Sequence, residues 1–141
     1  MIVGVGIDVV ATPRWARALD KIKEQVFTPR ELAACADRLD RIDALAARFA
    51  AKEACIKALR AGIREGGLRQ IEIVSSSDGA PQLRISGALA ERARECGART
   101  AHVSLTHQPD FAAAVVILEG TPTAAHTDEP WTLETVLSGT W

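Results

Sequence analysis

Residues 43–62 read DALAARFAAKEACIKALRAG, and this stretch decides how the rest of the chain packs. It is rich in alanine and contains no proline or glycine before Gly62, so it predicts a long helix from residue 43 to residue 61 that Gly62 ends. Five large apolar residues recur at the helical interval and predict its buried face: Leu45, Phe49, Ile56, Leu59 and Ile63.

The charged residues of this helix do not form an alternating surface pattern. Glu53 and Lys57 are four residues apart and project from one face, where an ordinary exposed ion pair is the simplest interpretation. Arg48, Lys52 and Arg60 add three more cations around the single carboxylate, which favours an anion site instead. Because Lys52 falls on the apolar stripe, it must either extend to the edge of the core or meet an anion.

A second carboxylate follows from the N-terminal pattern. Residues 2–10 alternate with period two and predict a strand, in which Gly4 and Gly6 remove side chains and allow backbone and ligand to approach closely. Asp8 lies near the end of this strand, where it is either a turn residue or a ligand. Together with Glu53 it could supply the one or two carboxylates that Mg²⁺ takes beside phosphate oxygens and water.

The remaining elements predict an α+β fold with helices packed on a largely antiparallel sheet. Thr12 and Thr28, each followed by proline, indicate helix starts, the first for a helix reaching about residue 23 and the second with Glu31 completing a capping box. Residues 70–75 and 82–86 form a predicted hairpin around Asp78 and Gly79. A helix over 88–96 and two strands over 101–106 and 111–118, joined by a turn at 107–110, follow.

His107 lies at the end of the strand that carries Thr106. A histidine at a strand end is suited to catalysis or binding near neutral pH, although a polar strand face running into a turn explains it equally well. Ser104 and Thr106 share a strand face with His102. Residue type and position therefore leave the role of His107 open.

Length and composition limit the function classes. With 141 residues, 48% hydrophobic and 25% charged, the chain is expected to fold as one domain over residues 1–120, followed by a tail at 121–141 that could dock through its apolar residues. A net charge of −1 argues against nucleic acid. The absence of a long apolar run or a signal sequence argues against a membrane and predicts a cytoplasmic protein, with Cys35, Cys55 and Cys96 as reduced core residues.

Three segments together resemble the holo-acyl-carrier-protein synthase family of small phosphopantetheinyl transferases. They are GVGIDVV at 4–10, RFAAKEACIKA at 48–58 and HVSLTH at 102–107, and the middle one is the most specific. FTPREL at 27–32 and DGAP at 78–81 are similar to further family segments, so the likeness extends over about the first 118 residues. The resemblance implies the 4′-phosphopantetheinyl transferase fold and transfer of phosphopantetheine from coenzyme A (CoA) to a carrier-protein serine, with release of 3′,5′-ADP.

The resemblance also implies a role for each candidate residue. Asp8 and Glu53 would hold Mg²⁺, Glu53 would take the proton from the serine, and Lys57 would stabilise the departing phosphate. The CoA-binding set would be Arg48, Lys52, Thr106 and His107 toward the phosphates, with Gly79 and Pro81 lining the adenine region. The family forms homotrimers with active sites between subunits, and its carrier proteins are acidic, so Arg14, with Arg17 and Lys21 as helpers, would be docking cations.

Three features depart from the family pattern. Ala11 stands where an acidic residue is common, Cys55 and Ile56 replace an aromatic and a small polar residue, and the tail after Gly120 has no counterpart. Two alternatives therefore accompany the enzyme hypothesis. One is a related scaffold that binds CoA or a carrier protein without transfer, and the other is a former domain of a larger synthase whose tail is the remaining interface.

Overall fold

The computed structural model describes residues 1–62 and 67–124. Within these ranges the elements follow one another in the order β1 (Ile2–Ala11), α1 (Thr12–Val26), α2 (Pro29–Cys35), α3 (Arg41–Ala58), a 3-10 turn (Leu68–Gln70), β2 (Ile71–Ser75), β3 (Pro81–Ile85), α4 (Gly87–Glu95), β4 (Ala98–Gln108) and β5 (Phe111–Gly120). The predicted order of elements is confirmed. Residues 63–66 and 125–141, which include Ile63 and most of the predicted tail, lie outside the described residues.

The strands form two antiparallel sheets. One has three strands in the order β1–β5–β4, and the other is the β2–β3 hairpin. The α+β class and the antiparallel pairing are therefore confirmed, with the sheet divided in two. Helix α3 packs across the inner face of the larger sheet and also contacts β2, so it joins the two sheets.

Two glycines of β1 admit helix α3, and this contact positions the candidate site. A Cβ built on Gly6 would lie 1.8 Å from the carbonyl oxygen of Ala54, and one built on Gly4 would lie 2.2 Å from that of Ala58. Either distance is far inside van der Waals contact, so the helix backbone occupies the space that the side chains would need. The sequence prediction that these glycines make room for a ligand is wrong: they make room for α3, which brings Glu53 and Lys57 beside Asp8.

The helix ends differ in part from the sequence prediction. Thr28 and Glu31 form the predicted capping box, with the backbone N–H of each residue donating to the other's side chain. Thr12 is instead the first residue of α1, and its buried hydroxyl has no partner among the described residues. Its prediction as an N-cap is wrong because the chain enters the helix one residue earlier, at Ala11.

Helix α3 ends at Ala58, three residues before the predicted end. Arg60 adopts a positive φ of 50°, and the Ala61 N–H donates to the Ile56 carbonyl at 3.1 Å. This is the reversal that a glycine usually makes at a helix end, here made by arginine. The prediction that Gly62 ends the helix is therefore wrong, because the last carbonyls are satisfied before the chain reaches it.

Strands β4 and β5 are longer than predicted. They pair from Ala98 with Gly120 to Gln108 with Phe111, which leaves only Pro109 and Asp110 between them. His107 is thus part of β4 rather than of the turn. Since neighbouring residues of a strand face opposite sides, His107 and Thr106 point in opposite directions.

The core lies between α3 and the sheets and is closed by α1. Leu45, Ile56 and Leu59 are buried as predicted, and Phe49 is partly buried against Trp15 with ring centroids 5.8 Å apart. The three cysteines are buried and unpaired, as expected: Cys35, Cys55 and Cys96. Among the described residues, no helix has the length and apolar character that crossing a bilayer requires.

Candidate active site

Asp8, Glu53 and Lys57 meet where β1 leaves its contact with α3. The Lys57 Nζ donates to Asp8 Oδ1 at 2.8 Å and to the Ile7 carbonyl at 2.9 Å. Among the ion pairs of residues 1–62 and 67–124, none joins Glu53 to Lys57. The surface ion pair within one helix is therefore absent, and the lysine is directed across to the strand instead.

Glu53 has the electrostatic character of a proton acceptor. It is partly buried, and its pKa is raised, first by burial and then by the nearby negative charge of Asp8, while Lys57 acts in the opposite direction. A carboxylate with a raised pKa is a better base at neutral pH than an exposed one. The two acids are thus close enough to influence each other, with one ammonium group beside them.

A cleft of about 640 Å³ opens from these carboxylates toward α1. Asp8 and Glu53 line one part of it, and Trp15 and Phe49 line another, with Arg14 among the remaining lining residues. A concave site with an apolar wall and a few convergent charges is the usual form of a small-molecule site. Trp15 is not among the site residues predicted from the sequence, although its position directly after the proposed docking residue Arg14 is a visible signal.

Four predicted CoA-binding residues line a second cavity of about 130 Å³: Arg48, Gly79, Pro81 and His107. They come from α3, the β2–β3 turn and hairpin, and β4, so the fold brings together residues up to 59 positions apart. Gly79 has a φ of 86°, a conformation that the turn requires and that favours glycine. The prediction that these four residues share a site is consistent with this geometry.

Arg48 is held inside the second cavity with part of its donor capacity unused. The residue is 9% exposed, one terminal N–H donates to the Ala44 carbonyl at 3.2 Å, and its Nε has no partner among the described residues. It also lines a third cavity, of about 290 Å³, together with Arg30 and Arg84. An arginine with free donors in a basic cavity is suited to bind phosphate.

His107 lies beside an acid, Asp40, that no sequence pattern singles out. Its Nε2 lies 3.4 Å from Asp40 Oδ2, and Arg38 binds the same carboxylate through two hydrogen bonds of 2.7 Å. The Arg38 guanidinium lowers the pKa of Asp40 to about 2. Asp40 therefore stays ionised near the imidazole, which lines the cavity.

Lys52 does not reach either cavity. Its side chain is fully buried, and its ammonium group donates to Glu31 Oε2 at 2.7 Å and to the carbonyls of Leu68 and Ile71 at 3.1 and 2.5 Å. All three of its N–H donors are thus used inside the protein. Of the two interpretations offered for Lys52, extension to the edge of the core or contact with an anion, the second is confirmed. The anion is the Glu31 carboxylate and not a ligand. The prediction of Lys52 as a phosphate contact is corrected accordingly.

Thr106 also lies away from the cavity that His107 lines. It is exposed on the outer face of the larger sheet, beside a shallow depression of about 170 Å³ that Ile7 and Val115 help to line. Within one chain, Thr106 therefore does not join Arg48 and His107, because alternate residues of β4 face opposite sides.

The predicted docking cations lie on helix α1. Arg14, Arg17 and Lys21 are exposed and spaced three and four residues apart, so they share one face of the helix. Arg14 lines the large cleft, whereas Arg17 Nε bonds back to the Pro13 carbonyl at 3.4 Å. The cations thus form a basic surface that begins at the cleft.

No group of three or more potential metal-ligating side chains occurs in the part of the chain that the structure describes. Asp8 and Glu53 alone suit a cation that takes only one or two carboxylates and completes its shell with water and phosphate oxygens. Burial is the main cause of the raised pKa of Glu53 and the negative charge of Asp8 adds to it, so a cation bound beside both acids would favour their ionised forms. The residues present therefore fit Mg²⁺ bound together with a phosphorylated substrate.

Comparison with known proteins agrees with this geometry. The family model for the 4′-phosphopantetheinyl transferase superfamily matches residues 4–116. A holo-[acyl-carrier-protein] synthase from Maridesulfovibrio salexigens is 44% identical over 124 residues, covering 84% of this chain and 99% of the relative. One from Streptomyces griseus is 46% identical over 125 residues, covering 85% and 100%.

Solved structures give the same result. The acyl carrier protein synthase of Mycobacterium tuberculosis superimposes with a TM-score of 0.70 at 44% identity, covering 86% of this chain and 100% of the other. The synthase of Bacillus anthracis, solved in complex with CoA (3′,5′-ADP), has a TM-score of 0.72 at 34% identity, covering 86% and 99%.

The fold and the matched residues together define a transferase. The chain belongs to the 4′-phosphopantetheinyl transferase superfamily and, within it, to the holo-[acyl-carrier-protein] synthase family.

Proposed function

We propose that this enzyme transfers 4′-phosphopantetheine from CoA to a serine of an acyl carrier protein. In this reaction the serine oxygen forms a bond to the phosphorus that carries the pantetheine arm. The bond from that phosphorus to the bridging oxygen breaks, and 3′,5′-ADP leaves. The observation that carries the proposal is the convergence of Asp8, Glu53 and Lys57 at one end of the large cleft.

Glu53 is the proposed general base. It is the carboxylate of the site whose pKa is raised, and no hydrogen bond within the described residues engages its oxygens, whereas Asp8 is bound by Lys57. The proton of the carrier serine would pass to Glu53 as the new phosphoester bond forms. Asp8, the other carboxylate of the site, remains ionised and paired with Lys57.

Lys57 is proposed to stabilise the leaving phosphate. Asp8 and the Ile7 carbonyl use two of its three N–H donors, and no other described residue accepts the third, which is thus available to a phosphate oxygen. The side chain is 54% exposed at the edge of the site, which leaves the ammonium group accessible to substrate. Fixed at this point, its charge would favour the departure of 3′,5′-ADP.

Asp8 and Glu53 are the proposed ligands of Mg²⁺, which would supply positive charge to the pyrophosphate of CoA. The nucleotide end of CoA is assigned to the second cavity, with Arg48 and His107 as phosphate contacts and Gly79 and Pro81 beside the adenine. The free Nε of Arg48 and its position between two cavities support this assignment.

We propose a homotrimer, the state that the family resemblance implies, and the exposed apolar residues of β1 on the outer face of the larger sheet support self-association. Val5, Ile7 and Val9 are 57%, 63% and 63% exposed, and the register places Ile7 opposite Val115 on the neighbouring strand. Monomeric proteins rarely expose a contiguous apolar surface of this kind. Association through this face would also bring Thr106 to another copy, where it could contact CoA. Sedimentation velocity, which gives the mass in solution, tests the trimer directly.

The carrier protein would approach along α1. Arg14, Arg17 and Lys21 present a basic surface that leads to the cleft, and the complementary partner is an acidic protein.

The three unpaired buried cysteines are consistent with a reducing compartment, so we assign the enzyme to the cytoplasm.

The direct test is a transfer assay read by mass spectrometry. The protein is incubated with Mg²⁺, CoA and each of a panel of apo carrier proteins from fatty-acid, polyketide and peptide synthesis. A carrier that gains the mass of one phosphopantetheine, with release of 3′,5′-ADP, is the expected result. If no carrier is modified while CoA binds normally, a scaffold that binds without transferring replaces the enzyme proposal.

A further inference from the structure

The buried pair of Lys52 and Glu31 lies where three elements meet. Lys52 is on α3, one turn after Arg48 and directly before Glu53, whereas Glu31 is on α2. Both side chains are fully buried, and their Nζ and Oε2 atoms are 2.7 Å apart. The Lys52 ammonium also lies 5.4 Å from the centre of the Phe27 ring.

Both side chains of the pair bind the backbone of strand β2. Lys52 donates to the Ile71 carbonyl at 2.5 Å, and Glu31 Oε1 accepts the Ile73 N–H at 2.9 Å. Ile71 and Ile73 are the two buried positions of this strand. The pair therefore fixes β2 against α3 at two successive inward residues, rather than only joining α2 to α3.

This strand forms one wall of the cavity assigned to the nucleotide of CoA. Ile73 and Ser75 of β2 line it from one side, and Arg48 lines it from α3. Gly79 and Pro81 follow from β2 through the hairpin, where Ser75 pairs with Pro81. The width of the cavity thus depends on the distance between β2 and α3, which the pair sets.

Stability alone is a weak reason for such a pair. Removing two charges from water costs free energy, and apolar residues of similar volume often serve a core equally well or better. What apolar residues cannot provide is directional hydrogen bonding to two chosen backbone groups of β2.

We propose that Lys52 and Glu31 are positioning residues that hold the β2–β3 hairpin against α3 and thereby set the affinity for CoA without touching it. This inference rests on the proposed function, because it assigns the nucleotide of CoA to the cavity lined by Arg48 and Ile73. It also gives Lys52 a functional role that requires no contact with phosphate.

The test is the double variant Lys52→Met/Glu31→Leu, which removes both charges and both hydrogen bonds to β2 and keeps the side chains similar in size. CoA binding is measured by titration calorimetry, and the KM values for CoA and carrier and the kcat are measured for the same preparations, well below the melting temperature. We expect CoA binding about tenfold weaker, within the range by which residues remote from a ligand alter affinity. The KM for carrier, and the kcat at saturating CoA, should stay close to those of the unchanged protein.

A matched control separates positioning from general loss of stability. Leu19→Ala removes a buried side chain of α1 that lines neither the large cleft nor the nucleotide cavity. It should lower the melting temperature and leave CoA binding unchanged. If this double variant does not fold, Lys52→Met/Glu31→Gln is measured in the same way, because it removes both charges and the Lys52 bonds and keeps an acceptor for the Ile73 N–H.

Three outcomes are distinguishable. Weaker CoA binding in the folded charge variant, but not in Leu19→Ala, supports the inference. Equal binding in the folded variant and the unchanged protein overturns it, as does a fall in kcat with CoA affinity unaltered. If the unchanged protein binds no CoA at all, the proposed function fails and the inference fails with it.

Discussion

Two lysine–carboxylate pairs on the same helix have almost the same length and opposite roles. Lys52 lies 2.7 Å from Glu31 and Lys57 lies 2.8 Å from Asp8, yet the first pair is fully buried, whereas Lys57 and Asp8 are 54% and 17% exposed. Five residues separate the two lysines, which rotates their side chains by about 140° around the helix. That rotation directs one toward the core and the other toward the edge of the site.

The difference shows that contact distance does not identify a functional charge. Lys52 has used every donor within the protein, so no ligand can recruit it without breaking the core. Within residues 1–62 and 67–124, one N–H donor of Lys57 has no partner, and the side chain is accessible to solvent. Its partner Asp8 belongs to the same site. A functional lysine is better identified by an unused hydrogen-bond donor at the protein surface, because catalysis requires a group that can change partners.

The largest expected effect is on catalysis at the exposed pair. Glu53→Gln keeps the shape of the side chain and removes the proposed base, so kcat should fall by about 10²–10⁴-fold while CoA binding by calorimetry is largely retained. Glu24→Gln, an exposed change on α1, is the matched control and should have full activity. Unchanged turnover in Glu53→Gln would require a different base.

A large loss of stability is expected at the buried pair. Lys52→Met leaves the Glu31 carboxylate buried without its cation, and the free energy of unfolding in urea should fall by about 3–5 kcal/mol. Adding Glu31→Gln should restore part of the loss, since the uncompensated charge is then removed. Equal stability of Lys52→Met and the unchanged protein would contradict the buried placement of this lysine.

Lys57→Ala should have the opposite effect to Lys52→Met, with a loss of activity and little loss of stability. We expect kcat to fall by about 10²-fold through loss of charge stabilisation at the leaving phosphate, with a smaller change in the KM for CoA. Stability should change by less than about 1 kcal/mol because the lysine is largely exposed. Lys23→Ala, which removes a surface pair with Asp20 on α1, serves as control for simple charge loss. A variant with normal turnover would refute the assigned role.

The smallest effect is expected at a third pair, Arg38 with Asp40, on the surface. Arg38 lowers the pKa of Asp40 from 3.8 to about 2, so the folded form binds this proton less readily than the unfolded chain. Its stabilising contribution is therefore present above pH 3.8 and is lost as the pH falls toward about 2. Melting temperatures of the unchanged protein and Asp40→Asn should differ slightly at neutral pH and converge over this interval. A constant difference down to pH 2 would exclude the pair as its cause.

Local pattern predicted most of the fold. The capping box of Thr28 and Glu31, the helix that carries Glu53 and Lys57, and the β2–β3 hairpin all depend on neighbours within a few residues, and they appear where expected. The errors were at element ends, such as Arg60 replacing glycine as the residue with positive φ. There, tertiary contacts such as the bond from Arg92 to the Leu59 carbonyl at 3.1 Å compete with local preference.

The candidate site was predictable in its members and not in its connections. Spacing placed Glu53 and Lys57 on one face, and the family resemblance added Asp8, Arg48, Gly79, Pro81 and His107. The sequence did not indicate that Asp40 would lie beside His107. It also did not indicate that Thr106 would face away from His107, because the alternation of side chains along β4 applies to both residues only once the strand is known to include His107.

The sequence by itself determined the charged helix and the capping box of Thr28 and Glu31 on α2. Only the tertiary structure decided which acid each lysine meets. Asp8 lies 49 residues before Lys57, and Glu31 lies 21 residues before Lys52. Helical periodicity specifies the direction in which a side chain points, but the group it meets depends on how distant elements pack. Here the contact of Ala54 and Ala58 with Gly6 and Gly4 fixed that packing.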